Sequence, residues 1–396
     1  MKPIFRYLNI LFFVVIANSV FACGDIQCGV SDAIENFATN HKIQAVYAIA
    51  DHGKIVVHGA QGFADLVKNK RLGVNDLMPI ASGTKPFTAA AILLLVDRGL
   101  LDLKAPISKY LNIESGMWSD GKVPTWAHKI TAHDLLTHSS GLPEYVFTFK
   151  IDDKRTQAGV NKDILHFIAQ KELEFKPGSK FVYNNTGYML LGMIIEKVSG
   201  QKLADFMHNE IFKPHGMKNT RIASFDEAIK IQLGKSHIVP MRYYAIPTGT
   251  KNPKFVPVGS EIVVAPNADG GALSTVGDLI AWNSALHGGK VISQKSYKKM
   301  IHRYFKSHHT GGYEGNVGYG MYISKMHNGT MMYHHEGRAL GARSDNGYLP
   351  KKGVSYAIIS NSMVHVPKEM ADKIDLTKPE NQLDILYFRN AVLEAL

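Results

Sequence analysis

The sequence predicts an α+β protein in which one antiparallel sheet, flanked by helices, is built from both ends of the chain. Two β-branched runs, Ala45–Ala50 and Lys54–Ala60, flank the turn signal Asp51-His52-Gly53 and predict a hairpin near the N-terminus. Further strand signals return after residue 318, whereas the middle of the chain is rich in helical periodicity. The simplest topology pairs both chain ends in the sheet and inserts a mainly helical lobe, with a cleft between the lobes.

Apolar periodicity predicts two helices in the middle of the chain. The first opens at Ser82 and ends before Gly99, and it is the most apolar helix of the protein. The second runs from Tyr188 to Val198 and ends before Gly200. Their apolar faces are formed by Ala89, Ile92, Leu93 and Val96 in the first and by Leu191, Ile194, Ile195 and Val198 in the second. We expect the first helix to be largely buried.

The C-terminal part of the chain predicts four strands and a final amphipathic helix. These segments are Tyr319–Ser324, Met331–His335, Gly341–Leu349 and Val354–Asn361 for the strands, and Asn381–Leu396 for the helix. We therefore expect residues 30–81 and 262–396 to form the sheet lobe and residues 82–261 to form the mainly helical lobe.

Composition and charge exclude several classes of protein. Of the 396 residues, 45% are hydrophobic and 20% are charged, which excludes a disordered chain, collagen and a multi-span membrane protein. Lys and Arg number 45 against 34 Asp and Glu, and the net charge of +11 raises the question of an anionic partner. The basic residues are scattered and lack interleaved stacking aromatics, so we expect no nucleic-acid partner.

Residues 1–22 have the organisation of a signal peptide. Lys2 and Arg6 form a charged start, Ile10–Ala17 an apolar run, and Val20-Phe21-Ala22 a cleavage site. The apolar run is far shorter than the ~20 residues needed to span a bilayer. The leader therefore predicts export to the periplasm or the extracellular space.

Cys23 and Cys28 are the two cysteines of the chain, and both follow the predicted cleavage site. An oxidising compartment would allow them to form a disulfide. Alternatively, Val20-Phe21-Ala22-Cys23 resembles a bacterial lipoprotein box, with a bulkier Phe21 than such a box usually carries, and Cys23 would then hold a lipid anchor. The sequence leaves both interpretations open and predicts no catalytic role for either cysteine.

A serine followed three residues later by a lysine can form a nucleophile and base, because a helix brings both side chains to one face. The chain contains four such pairs, namely Ser82/Lys85, Ser119/Lys122, Ser199/Lys202 and Ser296/Lys299. Ser82 differs because it opens the most apolar helix, where burial would lower the pKa of Lys85 and make it a base. The local sequence alone leaves a simple helix N-cap as an equally good interpretation of Ser82.

Two further short motifs occur several times and are distinguished by their flanking sequence. Tyr183 and Asn185 follow a Pro-Gly turn just before a predicted helix, and His335 and Gly337 lie on a predicted core strand. Other copies begin at Tyr7 and Tyr110 for Tyr-x-Asn and at His287, His309 and His327 for His-x-Gly. The two placements suit an active site.

Together with the pair Ser82/Lys85, these motifs and their flanking sequences resemble the penicillin-recognising serine hydrolases related to class C β-lactamases and D-alanyl-D-alanine carboxypeptidases. Six blocks in the same order carry the resemblance, which covers nearly all of the chain after the leader. They are Ile80–Thr88, Ile130–Leu142, Pro177–Gly192, Pro214–Thr220, Gly270–Leu279 and His335–Gly337. The resemblance implies a β-lactamase/transpeptidase-like fold and a hydrolase without a cofactor.

Carried over to these positions, the family mechanism implies that Ser82 is the acylated nucleophile and Lys85 its proton acceptor. Tyr183 would serve the leaving group and then the deacylating water, and Asn185 would hold the substrate amide. The backbone N–H groups of Ser82 and Arg338 would form the oxyanion hole. The identity of the acylation base is contested within such enzymes, so we assign that step jointly to Lys85 and Tyr183.

The third motif departs from the family pattern, because His335-Glu336-Gly337 stands where class C β-lactamases have Lys-Thr-Gly. The change argues against efficient β-lactam hydrolysis and resembles the D-aminopeptidase, D-peptidase and esterase branches. His335 would still offer a hydrogen-bond donor or partial charge to the substrate, and the alternative is a strand histidine with a purely structural role. We also hypothesise that Arg338 and Arg343 bind a substrate carboxylate in a bidentate manner.

We expect no metal site, since the paired histidines lack the partner carboxylates or cysteines expected around a zinc ion and the chain has no His-Glu-x-x-His motif. These pairs are His133/His138, His308/His309 and His334/His335. The three tryptophans, Trp118, Trp126 and Trp282, are expected to pack in the core or the cleft wall. The segment 138–141 is expected to line the cleft rather than to supply a second nucleophile.

Two classes of function compete on this basis. The first is an exported serine hydrolase that forms an acyl-enzyme on D-amino-acid peptides of cell-wall type, β-lactam-like compounds, or small esters and lipids. The second is a non-catalytic module of the same fold that binds peptidoglycan or a protein. Loss of Ser82, Lys85 or Tyr183 would favour the second class, and all three are present. We therefore expect an enzyme acting on a small-molecule or peptide substrate.

Overall fold

The computed structural model describes residues 29–34, 44–112, 118, 121–146, 156–232, 244–247, 256–257, 267–307, 313–339, 341–365 and 385–396. The leader, Cys23 and Cys28 lie outside these ranges, and the expectations for them stay predictions. Within these ranges, no helix combines the length and the apolar character that crossing a membrane requires.

The described strands and helices follow one another along the chain in the order predicted for an α+β protein. The strands are β1 (Ala45–Asp51), β2 (Lys54–Gln61), β3 (Phe63–Asp65), β4 (Lys70–Arg71), β5 (Met78–Pro79), β6 (Arg221–Ile222), β7 (Tyr244–Pro247), β8 (Val256–Pro257), β9 (Ala272–Ser274), β10 (Phe305–Ser307), β11 (Glu314–Val317), β12 (Tyr322–Lys325), β13 (Met331–Ala339), β14 (Ala342–Leu349), β15 (Val354–Ser360) and β16 (Ser362–His365). The helices are α1 (residues 29–34), α2 (Lys85–Asp97), α3 (Ala132–Leu136), α4 (Gln157–Ala169), α5 (Asn185–Ser199), α6 (Leu203–Phe206), α7 (Phe225–Gln232), α8 (Val276–His287), α9 (Gln294–Met300) and α10 (Ile385–Glu394). Shorter helical turns occupy Ala81–Thr84, Ile107–Lys109, Thr125–His128, Met207–Phe212 and Lys213–His215.

The main sheet is antiparallel throughout and has the strand order β10-β11-β12-β13-β14-β15-β1-β2. The N-terminal hairpin β1–β2 is confirmed, and β1 pairs with β15, so both chain ends share one sheet. The sequence analysis missed β10 and β11 at the sheet edge. Their short sequences, Phe-Lys-Ser and Glu-Gly-Asn-Val, contain no run of β-branched residues that would mark a strand.

The predicted middle helices are present, with one shift that matters for the site. The first of the two, α2, begins at Lys85 rather than at Ser82, because Ala81–Thr84 forms a tighter 3₁₀ turn. Strands also occur in this region: β6 pairs with β9, and β7 pairs in parallel with β16. The helical lobe is therefore tied to segments from the C-terminal part of the chain.

Helix α2 lies in the centre of the core and is buried almost all round. Its Phe87 ring makes edge-to-face contacts with Phe212, at 5.2 Å between ring centroids, and with Trp282, at 4.7 Å. Trp118 and Trp126 form a second edge-to-face pair at 5.8 Å, and all three tryptophans are buried. Such aromatic burial stabilises the fold by about 2–3 kcal/mol per side chain. The expected packing role of the tryptophans is confirmed.

A buried ionic network joins α10 to strand β14, on the face of the main sheet opposite to α2. Arg389 of α10 pairs with Asp345 of β14, and both side chains are fully buried. Tyr356 donates a hydrogen bond of 3.1 Å to Asp345, and His334 Nδ1 lies 3.5 Å from the same carboxylate. His334 thus has a carboxylate neighbour, which is itself paired with Arg389. Asp345 is eleven positions away in sequence and becomes a neighbour only through the pairing of adjacent strands.

Candidate active site

Ser82 lies in the 3₁₀ turn between β5 and α2, where its side chain is half-buried. The preceding residue, Ala81, has a φ of +47°, a left-handed conformation that costs a non-glycine residue about 1–2 kcal/mol. The turn is held at the carbonyl of Ile80, which accepts hydrogen bonds from Gly83 N (2.9 Å) and Ser344 Oγ (2.7 Å). Thr84 precedes α2, and no side chain caps the helix there. The N-cap interpretation of Ser82 is therefore wrong.

Lys85 is fully buried behind Ser82, and its Nζ lies close to three oxygen atoms. It donates to Ser82 Oγ at 3.1 Å, to Asn185 Oδ1 at 2.8 Å and to the carbonyl of Asp269 at 2.7 Å. A neutral amine has two N–H groups and one lone pair, and the amide and carbonyl oxygens can only accept. When Lys85 is neutral, they therefore hold its two N–H groups and leave its lone pair directed at the Ser82 hydroxyl.

Burial lowers the pKa of Lys85 to about 8, although the negative charges of Asp269 and Glu144 oppose this shift. With that pKa, about a tenth of the lysine is neutral at pH 7, against fewer than about one in a thousand for an ordinary lysine. The side chain is thus available as a proton acceptor near neutral pH. This is the chemical property that the sequence analysis expected of Lys85.

Asn185 opens helix α5, and both ends of its side-chain amide are engaged. Its Oδ1 accepts from Lys85, while its Nδ2 donates to Glu144 Oε2 at 3.1 Å. The Asn185 backbone N–H donates to the same Glu144 oxygen at 2.7 Å. These contacts set the orientation of the amide, because a flipped amide would place NH₂ against the lysine. One Nδ2–H remains for a substrate carbonyl.

Asp269 brings a second carboxylate to Lys85 and is itself buried. Its Oδ2 accepts a hydrogen bond of 2.9 Å from the Tyr145 hydroxyl, and its backbone carbonyl is the one that Lys85 contacts. Burial raises the pKa of Asp269 to about 6, and the positive charge of Lys85 opposes the rise. Negative charge therefore surrounds the lysine on the helical side of the site.

Tyr183 is placed on the other side of the Ser82 and Lys85 pair. Its ring centroid lies 5.0 Å from Lys85 Nζ. Burial and the neighbouring Tyr322 hydroxyl raise the pKa of Tyr183 well above its usual value, although a hydrogen bond with Ser82 opposes the rise. Tyr183 is therefore a neutral phenol at neutral pH, able to donate and accept a proton but not to act as a phenolate. The two candidates for the acylation base thus differ, and Lys85 is the one with an accessible basic form.

His335 lies on β13 beside Tyr183, and the centroids of the two rings are 6.3 Å apart. The His335 ring stacks on the Tyr322 ring, with 5.1 Å between centroids. Its Nδ1 lies 2.6 Å from the carbonyl of Glu336, so Nδ1 carries the proton and donates. Burial and the positive charge of Lys85 lower the pKa of His335 to about 3. The expected partial charge is therefore wrong, since this histidine is neutral, and its free Nε2 is an acceptor.

Gly337 allows β13 to approach the turn Ala81–Thr84, which carries Ser82. A Cβ placed on Gly337 would lie 1.9 Å from the carbonyl of Ile80 and 2.4 Å from Ser344 Oγ, so only glycine permits this approach. Side chains alternate along a strand, which places the Arg338 side chain on the face opposite Gly337 and the nucleophile. The backbone role of Arg338 in the oxyanion hole stays a prediction.

The hypothesis that Arg338 and Arg343 together bind a substrate carboxylate is wrong in this geometry. They stand opposite each other on β13 and β14, on the face away from Ser82. Arg343 is nearly buried and forms an ion pair with Glu336 at 3.6 Å, so its charge is already compensated. The strand register, which the sequence analysis did not resolve, decides this point.

The family model for Beta-lactamase matches residues 30–377. The chain belongs to the β-lactamase family. The recognition of β-lactamase-related serine hydrolases and the β-lactamase/transpeptidase-like fold are therefore confirmed.

Two relatives show the range of the β-lactamase family around this chain. It is 30% identical over 269 residues to penicillin-binding protein 4* of Bacillus subtilis (strain 168), covering 66% of this chain and 56% of the relative. It is 32% identical over 213 residues to esterase EstB of Burkholderia gladioli, covering 50% of this chain and 53% of the relative. The chain thus spans about half the length of these curated relatives.

Solved structures of the family align over most of the chain. The octameric penicillin-binding protein homologue from Pyrococcus abyssi has 28% identity and a TM-score of 0.68, covering 86% of this chain and 74% of that one. D-amino acid amidase from Ochrobactrum anthropi SV3 has 23% identity and a TM-score of 0.72, covering 93% of this chain and 98% of that one. The likeness to the amidase shows the fold alone.

The site of this β-lactamase family member contains most of the predicted residues and several that the sequence analysis missed. Ser82, Lys85, Tyr183, Asn185, His335 and Gly337 lie together, whereas the Arg338 side chain does not join them. Glu144 and Asp269 were missed as site residues, and His138, expected only as part of a cleft-lining loop, stacks on Tyr183. The two carboxylates follow apolar or small residues in loops, Leu142-Pro143 and Asn267-Ala268, and an acidic residue in such a setting was the available signal.

Proposed function

We propose that this protein is a serine hydrolase that forms an acyl-enzyme on Ser82 and cleaves amides or esters of small substrates. The observation that carries the proposal is the 3.1 Å contact between Ser82 Oγ and the buried Lys85 Nζ, whose lone pair is directed at the hydroxyl. A nucleophile and a base within hydrogen-bond reach, with the base oriented by further groups, form the arrangement that covalent catalysis requires. Membership of the β-lactamase family supports the same chemistry.

In the proposed acylation step, neutral Lys85 takes the Ser82 proton as Oγ attacks the substrate carbonyl. The C–O bond to Ser82 forms while negative charge develops on the carbonyl oxygen, which the N–H groups of Ser82 and Arg338 would stabilise. The tetrahedral intermediate then expels an amine or alcohol. The leaving group takes a proton from the Tyr183 hydroxyl, which recovers one from the Lys85 ammonium.

Deacylation reverses the same proton path. Water approaches the acyl-enzyme from the side that the leaving group vacates, and it passes a proton through Tyr183 to Lys85 as its oxygen attacks the ester carbon. The bond to Ser82 Oγ then breaks, and Oγ recovers the proton from Lys85. The net reaction is the addition of one water to the amide or ester bond. In both steps Tyr183 acts as a neutral proton carrier, as its raised pKa requires.

We further propose that the preferred substrates carry no carboxylate beside the scissile bond. Substrates such as β-lactams and D-alanine-terminated peptides present a carboxylate, and a cation would favour it. At this position the chain has His335, whose lowered pKa of about 3 keeps it neutral. The carboxylates of Glu144 and Asp269 instead favour a cationic group near Asn185, such as the α-ammonium of an amino acid amide. Small esters and D-amino acid amides are therefore the proposed substrates, and the esterase relative is in keeping with the first of these classes.

Intact-protein mass spectrometry after incubation with a fluorophosphonate and with a fluorescent penicillin tests the chemistry. We expect a stoichiometric fluorophosphonate adduct on the wild type, little or no penicillin adduct, and no adduct on Ser82→Ala. Ser199→Ala is a matched control, because Ser199/Lys202 has the same spacing at the end of α5. Labelling that persists in Ser82→Ala, or no labelling of the wild type, would contradict the proposal and favour a non-catalytic binding module.

A substrate panel tests the proposed specificity. Short-chain p-nitrophenyl esters, amides of D- and L-amino acids, D-alanyl-D-alanine peptides and a chromogenic cephalosporin are compared by kcat/KM. We expect esters and D-amino acid amides to exceed the carboxylate-bearing compounds. Glu144→Gln should raise KM for the amino acid amides more than KM for neutral esters, because only the amides lose an attractive charge at their ammonium group. A preference for the carboxylate-bearing compounds would contradict the proposal.

We also propose that the protein is exported, on the basis of the leader at residues 1–22. The intact mass of the protein purified from its native membrane and soluble fractions tests this. Loss of residues 1–22 without a further mass increase would support a free exported enzyme. A diacylglyceryl mass on Cys23 would support the lipid anchor, and retention of the leader would contradict export.

A further inference from the structure

His138 is a buried histidine that holds the backbone on both sides of Tyr183. Its carbonyl accepts a hydrogen bond of 3.0 Å from Val182 N, and its ring Nδ1 lies within hydrogen-bond distance of Asn184 N (3.0 Å) and Asn184 O (3.1 Å). The residue is 3% exposed and has a φ of +55°, a left-handed conformation that few non-glycine residues adopt. The backbone at positions 182 and 184 is thus bound to a single residue that precedes it by more than forty positions.

The ring of His138 also stacks on the ring of Tyr183. Their centroids are 4.4 Å apart and their planes differ by 24°. The same imidazole contacts Tyr188 of α5 at 4.9 Å and meets Phe181 edge-on at 5.8 Å. A tyrosine has two side-chain torsions, and a ring stacked on it restricts both. The phenol and the backbone that carries it are therefore restrained together.

His138 Nδ1 lies 3.0 Å from Asn184 N and 3.1 Å from Asn184 O. It accepts from the N–H group in one neutral tautomer and donates to the carbonyl in the other, so the ring is bonded to the Asn184 backbone in both. Burial lowers the pKa of His138 well below its usual value, and the positive charge of Lys85 and the nearby His335 add to this shift. The aromatic groups that face the ring, from the segment 181–183 and from α5, are uncharged phenols and a phenyl group. The ring is therefore neutral throughout the neutral pH range.

We propose that His138 is a positioning residue that fixes the Tyr183 hydroxyl over the Ser82 and Lys85 pair. The proposal rests on the proton-carrying role given to Tyr183 under the proposed function. A proton carrier that serves both the leaving group and the attacking water must stay within hydrogen-bond reach of Ser82 through two steps. A small rotation of the phenol would break that reach without disturbing the Ser82 and Lys85 contact.

Two substitutions separate the contribution of the stacked ring from that of the hydrogen bond to the Asn184 backbone. In His138→Asn, the side-chain oxygen can accept from Asn184 N and asparagine tolerates the left-handed backbone, but the stacked ring is lost. In His138→Phe, an aromatic ring remains and the hydrogen bond to the Asn184 backbone is lost. His208→Asn, at an exposed histidine, is the matched control. The free energy of unfolding is measured for each variant in urea, so that loss of folding is detected separately.

We expect both His138 variants to lower kcat for a p-nitrophenyl ester by tenfold or more, with KM changed much less, and His208→Asn to match the wild type. The decisive measurement is a double-mutant cycle with Tyr183→Phe. If His138 acts through the phenol, His138→Asn should cause no further loss of kcat in the Tyr183→Phe background. Equal losses in the two backgrounds, or a wild-type kcat in His138→Asn, would overturn the proposal.

The rate of fluorophosphonate labelling of Ser82 provides a second readout that needs no natural substrate. We expect His138→Asn to slow labelling in the wild-type background and to leave it unchanged in the Tyr183→Phe background. Failure of the proposed function would appear as an unlabelled wild type. Failure of the positioning role would instead appear as an active, labelled wild type whose His138 variants label at the same rate or lose rate equally in both backgrounds.

Discussion

Lys85 and Asp269 are linked in two ways: the lysine Nζ donates to the aspartate carbonyl at 2.7 Å, and the buried aspartate carboxylate lies near it as an opposite charge. The first contact orients the amine, and the second stabilises its protonated form. Orientation and basicity are thus controlled by different atoms of one residue. A substitution of the side chain can therefore change the basicity of Lys85 while the hydrogen bond to its backbone carbonyl stays in place.

The first prediction concerns the pH dependence of catalysis. Because neutral Lys85 is the proposed base, kcat/KM of the wild type should rise with pH through a midpoint near 8, the lowered pKa of this lysine. Asp269→Asn removes the charge that favours the ammonium, so the midpoint should move down by about one pH unit. The measurement is kcat/KM for a neutral ester between pH 5 and 10. Asp226→Asn, at an exposed position in α7, is the control, and an upward shift in Asp269→Asn would contradict the assignment of the base.

The second prediction concerns the close approach of β13 to the turn Ala81–Thr84, which carries Ser82. Gly337→Ala places a methyl group against the Ile80 carbonyl and Ser344 Oγ, so the strand and the turn must separate. We expect the free energy of unfolding to fall by about 1–3 kcal/mol and labelling of Ser82 to slow. Gly277→Ala is the matched control, because its methyl group would have only Thr275 Oγ1 within reach, at 4.0 Å. Equal stability of the two variants in urea would show that the approach is looser than described.

The third prediction concerns Arg338. Its side chain lies on the face of β13 away from Ser82, so Arg338→Ala should leave KM for anionic and neutral esters of equal length unchanged within about twofold. Steady-state kinetics on a matched pair of esters, one with a carboxylate and one with a carboxamide, measures this. A selective rise in KM for the anionic ester would restore the hypothesis that Arg338 binds a substrate carboxylate.

The fourth prediction concerns the buried pair of Asp345 and Arg389. Arg389→Met leaves a carboxylate buried without its cation, and we expect a loss of about 3–5 kcal/mol in the free energy of unfolding at pH 7. Adding Asp345→Asn to this variant should recover part of the loss. Arg303→Met, at an exposed arginine, is the control for urea unfolding. A loss that does not respond to the second substitution would argue against a charge effect.

The same pair predicts a direction for acid unfolding. Burial would raise the pKa of Asp345, but the Arg389 charge and the contact with His334 outweigh it and lower the pKa to about 2. A carboxyl group whose pKa is lower in the folded state stabilises the fold above its unfolded value, here 3.8, and loses this contribution as the pH falls towards 2. Wild-type stability should therefore fall between pH 4 and pH 2, and the Arg389→Met, Asp345→Asn double variant should show a smaller fall.

Local patterns were sufficient for much of the fold. The hairpin around Asp51-His52-Gly53, the helix before Gly200 and the strands from residue 331 onwards appear in the sequence because alternation, helical spacing and glycine placement are properties of neighbouring residues. The position of Ser82 was predicted too, but its conformation was not. The left-handed Ala81 and the tight turn after it depend on Ser344 and Gly337, which lie more than 250 residues further along the chain.

The sequence by itself singled out Ser82, Lys85, Tyr183 and Asn185, because each stands in a short motif whose flanking sequence resembles that of the β-lactamase-related hydrolases. Their catalytic roles stay proposals. Only the tertiary structure decided what state these groups are in. Whether Lys85 is basic, whether His335 carries charge and which way Arg338 points depend on burial, strand register and carboxylates supplied by distant loops. Charge and solvation act through space, so the residues that set them, Glu144 and Asp269, could be recognised only once the chain had folded around Lys85.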